Sequence, residues 1–117
     1  MSEPTIDRSR TKWHNEDGQL HREDGPAIER ASGCKCWYRN GKMHRESGPA
    51  IEYPDGLKVW YLNGKLHRLD GPAVEWVNGK KFWWIEGKEY NIMDYIDHPL
   101  VSQETNERIV TEYIFDE

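Results

Sequence analysis

Long apolar runs are missing from this chain of 117 residues, of which only 36% are hydrophobic. Nowhere does it hold the roughly 18 consecutive apolar residues that a membrane helix requires. The opening stretch MSEPTIDRSRTKW lacks the apolar centre of a secretory leader. These absences set the expectation of a soluble, cytoplasmic protein, in a bacterium or an infected host cell. Cysteine is nearly absent: Cys34 and Cys36 are the only two, in the pattern CKC. A disulfide across one intervening residue would be unusual and a metal site would need further ligands, so the expectation is two reduced thiols serving as small buried side chains. Positive charge is also in deficit, with 16 Lys and Arg against 21 Asp and Glu and a net charge of -5. That balance works against nucleic-acid phosphates and anionic lipid and favours a partner protein with a basic surface.

What the chain does hold is aromatic and charged. Aromatics make up 12% of it, including six Trp, and charged residues 32%. The aromatics exclude a disordered segment, while the small apolar share excludes a thick core. The length suits one domain and is too short for two well-cored ones. A thin, aromatic-pinned architecture satisfies all of this.

The ten glycines stand at 18, 25, 33, 41, 48, 56, 64, 71, 79 and 87, so their spacings cycle through 7, 8 and 8. This is a 23-residue period with three turn positions per unit. Aligned on it, CKCWYRNGK, LKVWYLNGK and KKFWWIEGK fall in one column, and HREDGPAIE, HRESGPAIE and HRLDGPAVE in the next. The period assigns structural roles to Gly41, Gly48, Gly56, Gly64, Gly71 and Gly79, with Arg45 and Arg68 beside them. The dipeptides Asn40-Gly41 and Asn63-Gly64 signal two-residue hairpin turns, and Tyr53-Pro54-Asp55-Gly56 signals a turn closed by a left-handed glycine. Gly-Pro at 25–26, 48–49 and 71–72 suits a corner better than a full reversal. Strands are therefore short, and helices are excluded from residues 13–90.

Closing a hairpin at Pro54–Gly56 sets Glu52 opposite Lys58 and Ile51 opposite Val59. The same register sets Glu75 opposite Lys81, Val74 opposite Phe82, Glu29 opposite Lys35 and Ile28 opposite Cys36. Opposite charges and apolar pairs both match, as cross-strand stabilisation requires. Alternation then places Ile28, Cys36, Tyr38, Met43, Ile51, Val59, Tyr61 and Leu66 on a core face. The other face carries Ala50, Glu52, Lys58, Trp60 and His67, with Trp37, Trp60 and Trp83 in a column. Trp76 and Trp84 fall on the core side.

The Trp-Tyr pair, NGK and the following glycine resemble MORN-type repeats, and WYLNGKLHRLDGPAVEW most resembles an NGK-x-HR-x-DGPA variant found in bacterial and phage proteins. The resemblance covers about residues 13–90. It implies an elongated array of β-hairpins used as a binding or assembly surface, without a cofactor. The usual repeat has glycine where Arg22, Arg45 and Arg68 stand, so its lipid and peptide contacts do not carry over.

His-Arg-Asp-like tripeptides suggest a kinase catalytic loop, but the phosphate-covering loop, strand lysine and Asp-Phe-Gly that this chemistry needs are missing. Threefold repetition also points to a structural device. Successive copies of His21, His44 and His67 stand two strand spacings apart, roughly 9–10 Å, too far to share one metal. Each His is expected to pack on an indole, His44 on Trp37 and His67 on Trp60, while the arginines pair with Glu23, Asp24, Glu46 and Asp70. The Trp column either shields the thin sheet, partly beneath the C-terminal segment, or contacts a partner.

The period ends at residue 90. NIMDYIDHP predicts a short helix capped by Asn91, with Ile92, Tyr95 and Ile96 on one side. RIVTEYIFDE fits a helix face through Ile109, Val110, Tyr113 and Ile114, but its β-branched residues favour a strand. The resulting expectation is mostly β: a polar tail over 1–12, a single elongated antiparallel hairpin array over 13–90, and a capping or interaction segment over 91–117, helical or strand. For function the expectation is a non-enzymatic protein-binding module, an adaptor or inhibitor, with a phage protein acting on a bacterial host or defence protein as its specific form. Its partner-binding candidates are Trp37, Trp60, Trp83, His44, His67, Glu52 and Glu75. The alternatives are a binder of a sugar or nucleotide using the Trp/His strip, and a self-assembling protein joined through its sheet edges or C-terminal segment.

Overall fold

Turn chemistry every seven or eight residues leaves room only for strands of two to five residues, and these are what form. The computed structural model describes residues 4–6 and 10–114. Its strands are β1 (Thr5–Ile6), β2 (Arg10–Lys12), β3 (Ile28–Arg30), β4 (Lys35–Cys36), β5 (Tyr38–Arg39), β6 (Lys42–Met43), β7 (Ile51–Glu52), β8 (Lys58–Val59), β9 (Tyr61–Leu62), β10 (Lys65–Leu66), β11 (Val74–Glu75), β12 (Lys81–Ile85) and β13 (Lys88–Tyr90). Helices α1 (Ile92–Ile96) and α2 (Gln103–Ile109) follow, and α2 runs into a π-helical turn, Val110–Ile114. Nine strands make one antiparallel sheet in the order β1-β2-β3-β4-β7-β8-β11-β12-β13, while β5 with β6 and β9 with β10 form separate hairpins beside it. The molecule measures 48 × 28 × 20 Å and its radius of gyration is 16.1 Å, against about 13 Å for a compact chain of this length.

The register is the one that the turns dictate. Ile28 faces Cys36, Glu29 faces Lys35, Ile51 faces Val59, Glu52 faces Lys58, Val74 faces Phe82 and Glu75 faces Lys81. Between repeats the same alternation continues, Lys35 opposite Glu52 and Lys58 opposite Glu75. Carboxylate and ammonium thus alternate across six strands on one face, with an unbroken apolar row on the other. The Asn-Gly turns adopt the expected positive φ, at Asn40 (50°) and Gly41 (83°) and again at Asn63 and Gly64.

Four expectations change. Within the supposed tail, β1 and β2 extend the sheet, with Thr5 opposite Lys12 and Ile6 opposite Thr11, and with Lys12 opposite Ile28 and Thr11 opposite Glu29; residues 1–3 and 7–9 lie outside the described residues. The segment favoured as a strand is helical: Ser102 Oγ accepts the Thr105 N–H at 3.1 Å, a proper N-cap, and Ile109 is buried against Trp83 and Tyr95; residues 115–117 lie outside the described residues. Trp76 is exposed and Trp84 half-buried, since Trp76 opens a turn at the sheet margin, where Tyr53 one period earlier is exposed as well. Finally, of the expected core face only Ile28 and Cys36 are fully buried, with Cys34 beside them, and the larger cluster of Trp83, Ile85, Tyr95, Ile96, Val101 and Ile109 lies under the helices. Helix α1 forms where Asn91 predicts it, the Asn91 Oδ1 accepting the Asp94 N–H at 2.9 Å.

Candidate functional site

Three units build the same clamp. The Arg45 guanidinium lies over the Trp37 ring, 3.8 Å from its centroid, and one of its amino groups donates to Pro49 O at 3.0 Å and to Glu52 Oε2 at 2.9 Å. Arg22 repeats this on Trp13, Pro26 O and Glu29, and Arg68 on Trp60, Pro72 O and Glu75. Asp24 and Asp70 add a bond to Nε of Arg22 and Arg68. The Gly-Pro glycine closes the stack from the opposite side: a Cβ on Gly25, Gly48 or Gly71 would stand 2.9, 3.2 or 2.7 Å from that guanidinium carbon. None of the three has positive φ, so glycine is required there for thickness. The guanidinium is sandwiched between an indole and a bare backbone, where cation–π attraction and charged hydrogen bonds act together.

The histidines therefore do not pack on the indoles; that place belongs to the arginines. Each imidazole instead ties its unit to the next. His21, His44 and His67 Nδ1 accept the backbone N–H of Asn40, Asn63 and Glu86 at 3.0, 3.0 and 2.9 Å. Those three residues hold the left-handed turn position, with φ of 50°, 51° and 50°. Bonds from Gly64 N to Met43 O and from Arg45 N to Tyr61 O join the same two units. With Nδ1 accepting, the proton sits on Nε2, which in His44 faces Glu46 Oε2 at 3.1 Å. That bond, with Arg39 nearby, holds the Glu46 carboxyl below its usual range. His44 is 6% exposed. Glu52 and Glu75, expected to meet a partner, are engaged by Arg45 and Arg68.

The ends differ from the middle. At the first turn Asn15 Oδ1 takes the place that the imidazole holds later, accepting the N–H of Asp17 and Gln19 at 2.9 and 3.0 Å. At the fourth unit Tyr90 and Asn91 replace His and Arg, so Trp83 has no guanidinium. The helical segment supplies rings in its place, Tyr95 at 4.9 Å and Tyr113 edge-on at 5.4 Å, and leaves Trp83 buried at 6% exposure.

Between successive clamps run open grooves. One of about 790 Å³ lies between Arg45–Pro49 and Arg68–Asp70, floored by Trp60 and closed by Ser102 and Thr105. Another of about 550 Å³ lies one unit earlier over Trp37. A third, about 590 Å³, lies outside the first clamp, beside Trp13. Trp37 and Trp60 thus do line open surface, half-buried and each with one face under an arginine. The groove rims carry the exposed carboxylates Glu23, Asp24, Glu46 and Asp70. No family model, curated protein or solved structure matches the chain. Among the described residues no group of three or more His, Cys, Asp or Glu is placed to hold a metal ion, and no helix is long and apolar enough to cross a membrane. Cys34 and Cys36 are buried free thiols, their sulfurs 4.0 Å apart; burial, then Cys34, pushes Cys36 up to about 11, so it stays protonated at neutral pH and is a poor nucleophile.

His67 makes the clamp sensitive to acid. Burial lowers its pKa below 6.5, opposed by Glu86 and assisted by His98. The unfolded chain then binds the proton more readily, so the contribution to stability is full above about pH 6.5 and is lost as pH falls through the lower folded value. The thermal midpoint should drop between pH 7 and 5. In His67→Asn, whose Oδ1 can replace the accepting nitrogen without titrating, the drop should be smaller; identical pH slopes would refute this.

Proposed function

We propose that the protein is a non-enzymatic binding module, an adaptor or inhibitor, whose groove face receives an extended basic segment of another protein. One observation carries the reading: the Arg, Trp and strand Glu of each clamp are packed against one another, while Glu23, Asp24, Glu46 and Asp70, each held by a bond from His21, Arg22, His44 or Arg68, keep exposed carboxylates along successive grooves at the repeat spacing. Such an array offers a partner a regular row of negative charge on a stiff support, which favours fast, salt-sensitive association with a cationic surface. The resemblance to MORN-like repeats in bacterial and phage proteins makes a host or defence protein of a bacterium the specific version of that partner.

The test removes the rim's charge and keeps its hydrogen-bond acceptors. A Glu23→Gln, Glu46→Gln and Asp70→Asn variant retains an oxygen for His21, 3.4 Å from Glu23, for His44 and for Arg68. Titrated by calorimetry with an arginine- and lysine-rich peptide, the native chain should bind with an affinity that falls as salt rises, and the variant at least about tenfold more weakly. Equal binding by the two would remove the grooves from the reading.

A further inference from the structure

The alternation of charge across the sheet stops one carboxylate short. Lys35 stands between Glu29 and Glu52, and Lys58 between Glu52 and Glu75, but Lys81 faces Glu75 alone, and its ammonium turns back to donate to Gly79 O at 3.3 Å. The apolar row is cut at the same place. Cys36 lies between Ile28 and Ile51, and Val59 between Ile51 and Val74, whereas Phe82 faces only Val74. On the far side of β12, β13 pairs with Trp83–Ile85 and leaves Lys81–Phe82 without a strand, among the described residues.

The backbone is open there as well. Phe82 O accepts the Ala73 N–H and Lys80 O accepts the Trp76 N–H, so residues 80 and 82 turn their groups toward β11. In an antiparallel ladder the residue between them, Lys81, then turns its N–H and C=O outward. The adjoining turn repeats the contrast: Gly33 is covered by Pro54 and Gly56 by Val77, each from the following unit, but nothing lies within 4 Å of a Cβ on Gly79. Trp76 (45%), Val77 (66%) and Phe82 (37%) are exposed. The two filled seats specify what the empty one accepts. Ala50-Ile51-Glu52 lies on Lys35–Cys36 and Ala73-Val74-Glu75 on Lys58–Val59, both antiparallel, with the aliphatic residue in the apolar row and the carboxylate opposite the lysine. Each alanine is fully buried, and its carbonyl accepts the backbone N–H of Trp37 or Trp60 at 2.7 Å.

We propose that the edge at Lys81–Phe82 is a docking site for an extended strand of a partner protein that reads small, aliphatic, carboxylate and completes the sheet by antiparallel addition. The carboxylate supplies the second neighbour that Lys81 lacks, and the aliphatic residue covers Phe82. The edge shares no residue with the lining of the three grooves, so it goes beyond the basic-segment reading and either can fail alone. One short strand gains little area and loses chain freedom on docking, so the dissociation constant should be on the order of 0.1–1 mM.

The chain's own strand serves as the probe. A peptide of residues 67–77, which holds Ala73-Val74-Glu75, is titrated into the isotope-labelled full chain and followed by its amide NMR signals, which leaves the protein itself unaltered. The amides from Val77 to Phe82 should shift saturably. Peptides carrying Val74→Lys or Glu75→Lys should bind at least about fivefold more weakly, the one by setting a charge on Phe82 and the other by setting like charge against Lys81. No shift at about 3 mM peptide, equal binding by the three peptides, or shifts centred on the grooves at Arg45–Pro49 and Arg68–Asp70 would each overturn the proposal. So would movement of the same edge amides on dilution of the chain alone, which would give the seat to a second copy.

Discussion

Replacing Tyr95 by alanine is expected to lower stability by about 3–5 kcal/mol, the range for deleting a large buried aromatic. Tyr95 is fully buried and joins the array to its helical end. Its ring covers Trp83 at 4.9 Å, and its hydroxyl bonds to Arg68 O, lies 3.0 Å from Gly71 O and accepts the Gly71 N–H at 3.3 Å. Burial pushes the phenol up to about 12, so the hydroxyl remains a donor throughout the neutral range. In a domain near 100 residues, about 4–8 °C of midpoint accompanies each kcal/mol, so Tyr95→Ala should lower the thermal midpoint by roughly 15 °C or more. Tyr95→Phe keeps the ring and loses the bonds, for about 1–2 kcal/mol. A fall under about 5 °C for the alanine variant would mean that the helices decorate the array without closing it.

The second large effect falls on the clamp. Arg68→Ala should lose about 3 kcal/mol and Arg68→Lys about 2, since a lysine keeps the charge but neither the flat contact with Trp60 nor the fork that reaches Asp70, Pro72 O and Glu75. A companion substitution separates geometry from charge. In Gly71→Ala the added Cβ would meet the guanidinium at 2.7 Å, and the backbone there is not left-handed, so the nearest obstacle to alanine is the arginine. Chemical denaturation of the double-mutant cycle should show Gly71→Ala destabilising by about 1–3 kcal/mol in the chain that keeps Arg68 and by near zero in the Arg68→Ala background. A penalty that persists without the arginine would place the glycine's role elsewhere.

How far the sequence could be read follows the range of the interactions. Register was legible because it rests on neighbours joined by short turns: Asn40-Gly41 and Pro54–Gly56 determine which residues face each other, and Glu52–Lys58 and Glu75–Lys81 confirm the alignment. Helix α1 was legible from Asn91 and Pro99 for the same local reason. The clamp was not, because the imidazole's partner lies 19 residues ahead, as with His44 and Asn63, and adjacency suggested the nearer indole. A signal existed: in HREDGPAIE, HRESGPAIE and HRLDGPAVE the arginine is followed three residues later by glycine and seven later by glutamate, the two groups that it touches. At the C-terminus, β-branched Ile109, Val110 and Ile114 outweighed Ser102, whose hydroxyl starts the helix. Within residues 1–12 no glycine marks the period, so nothing signalled the strands Thr5–Ile6 and Arg10–Lys12.

The bonds from His21, His44 and His67 to the following turn, like those within each clamp, all span fewer residues than the 23-residue period. Excising one whole period, such as residues 45–67, would therefore bring together residues already suited to bond, and duplicating one would do the same. Nothing inside the array records how many units there are. Its length is written only in two terminators, Asn15 at one end and Tyr90-Asn91 at the other, which lets a lineage lengthen or shorten the molecule in whole steps without redesigning a single contact.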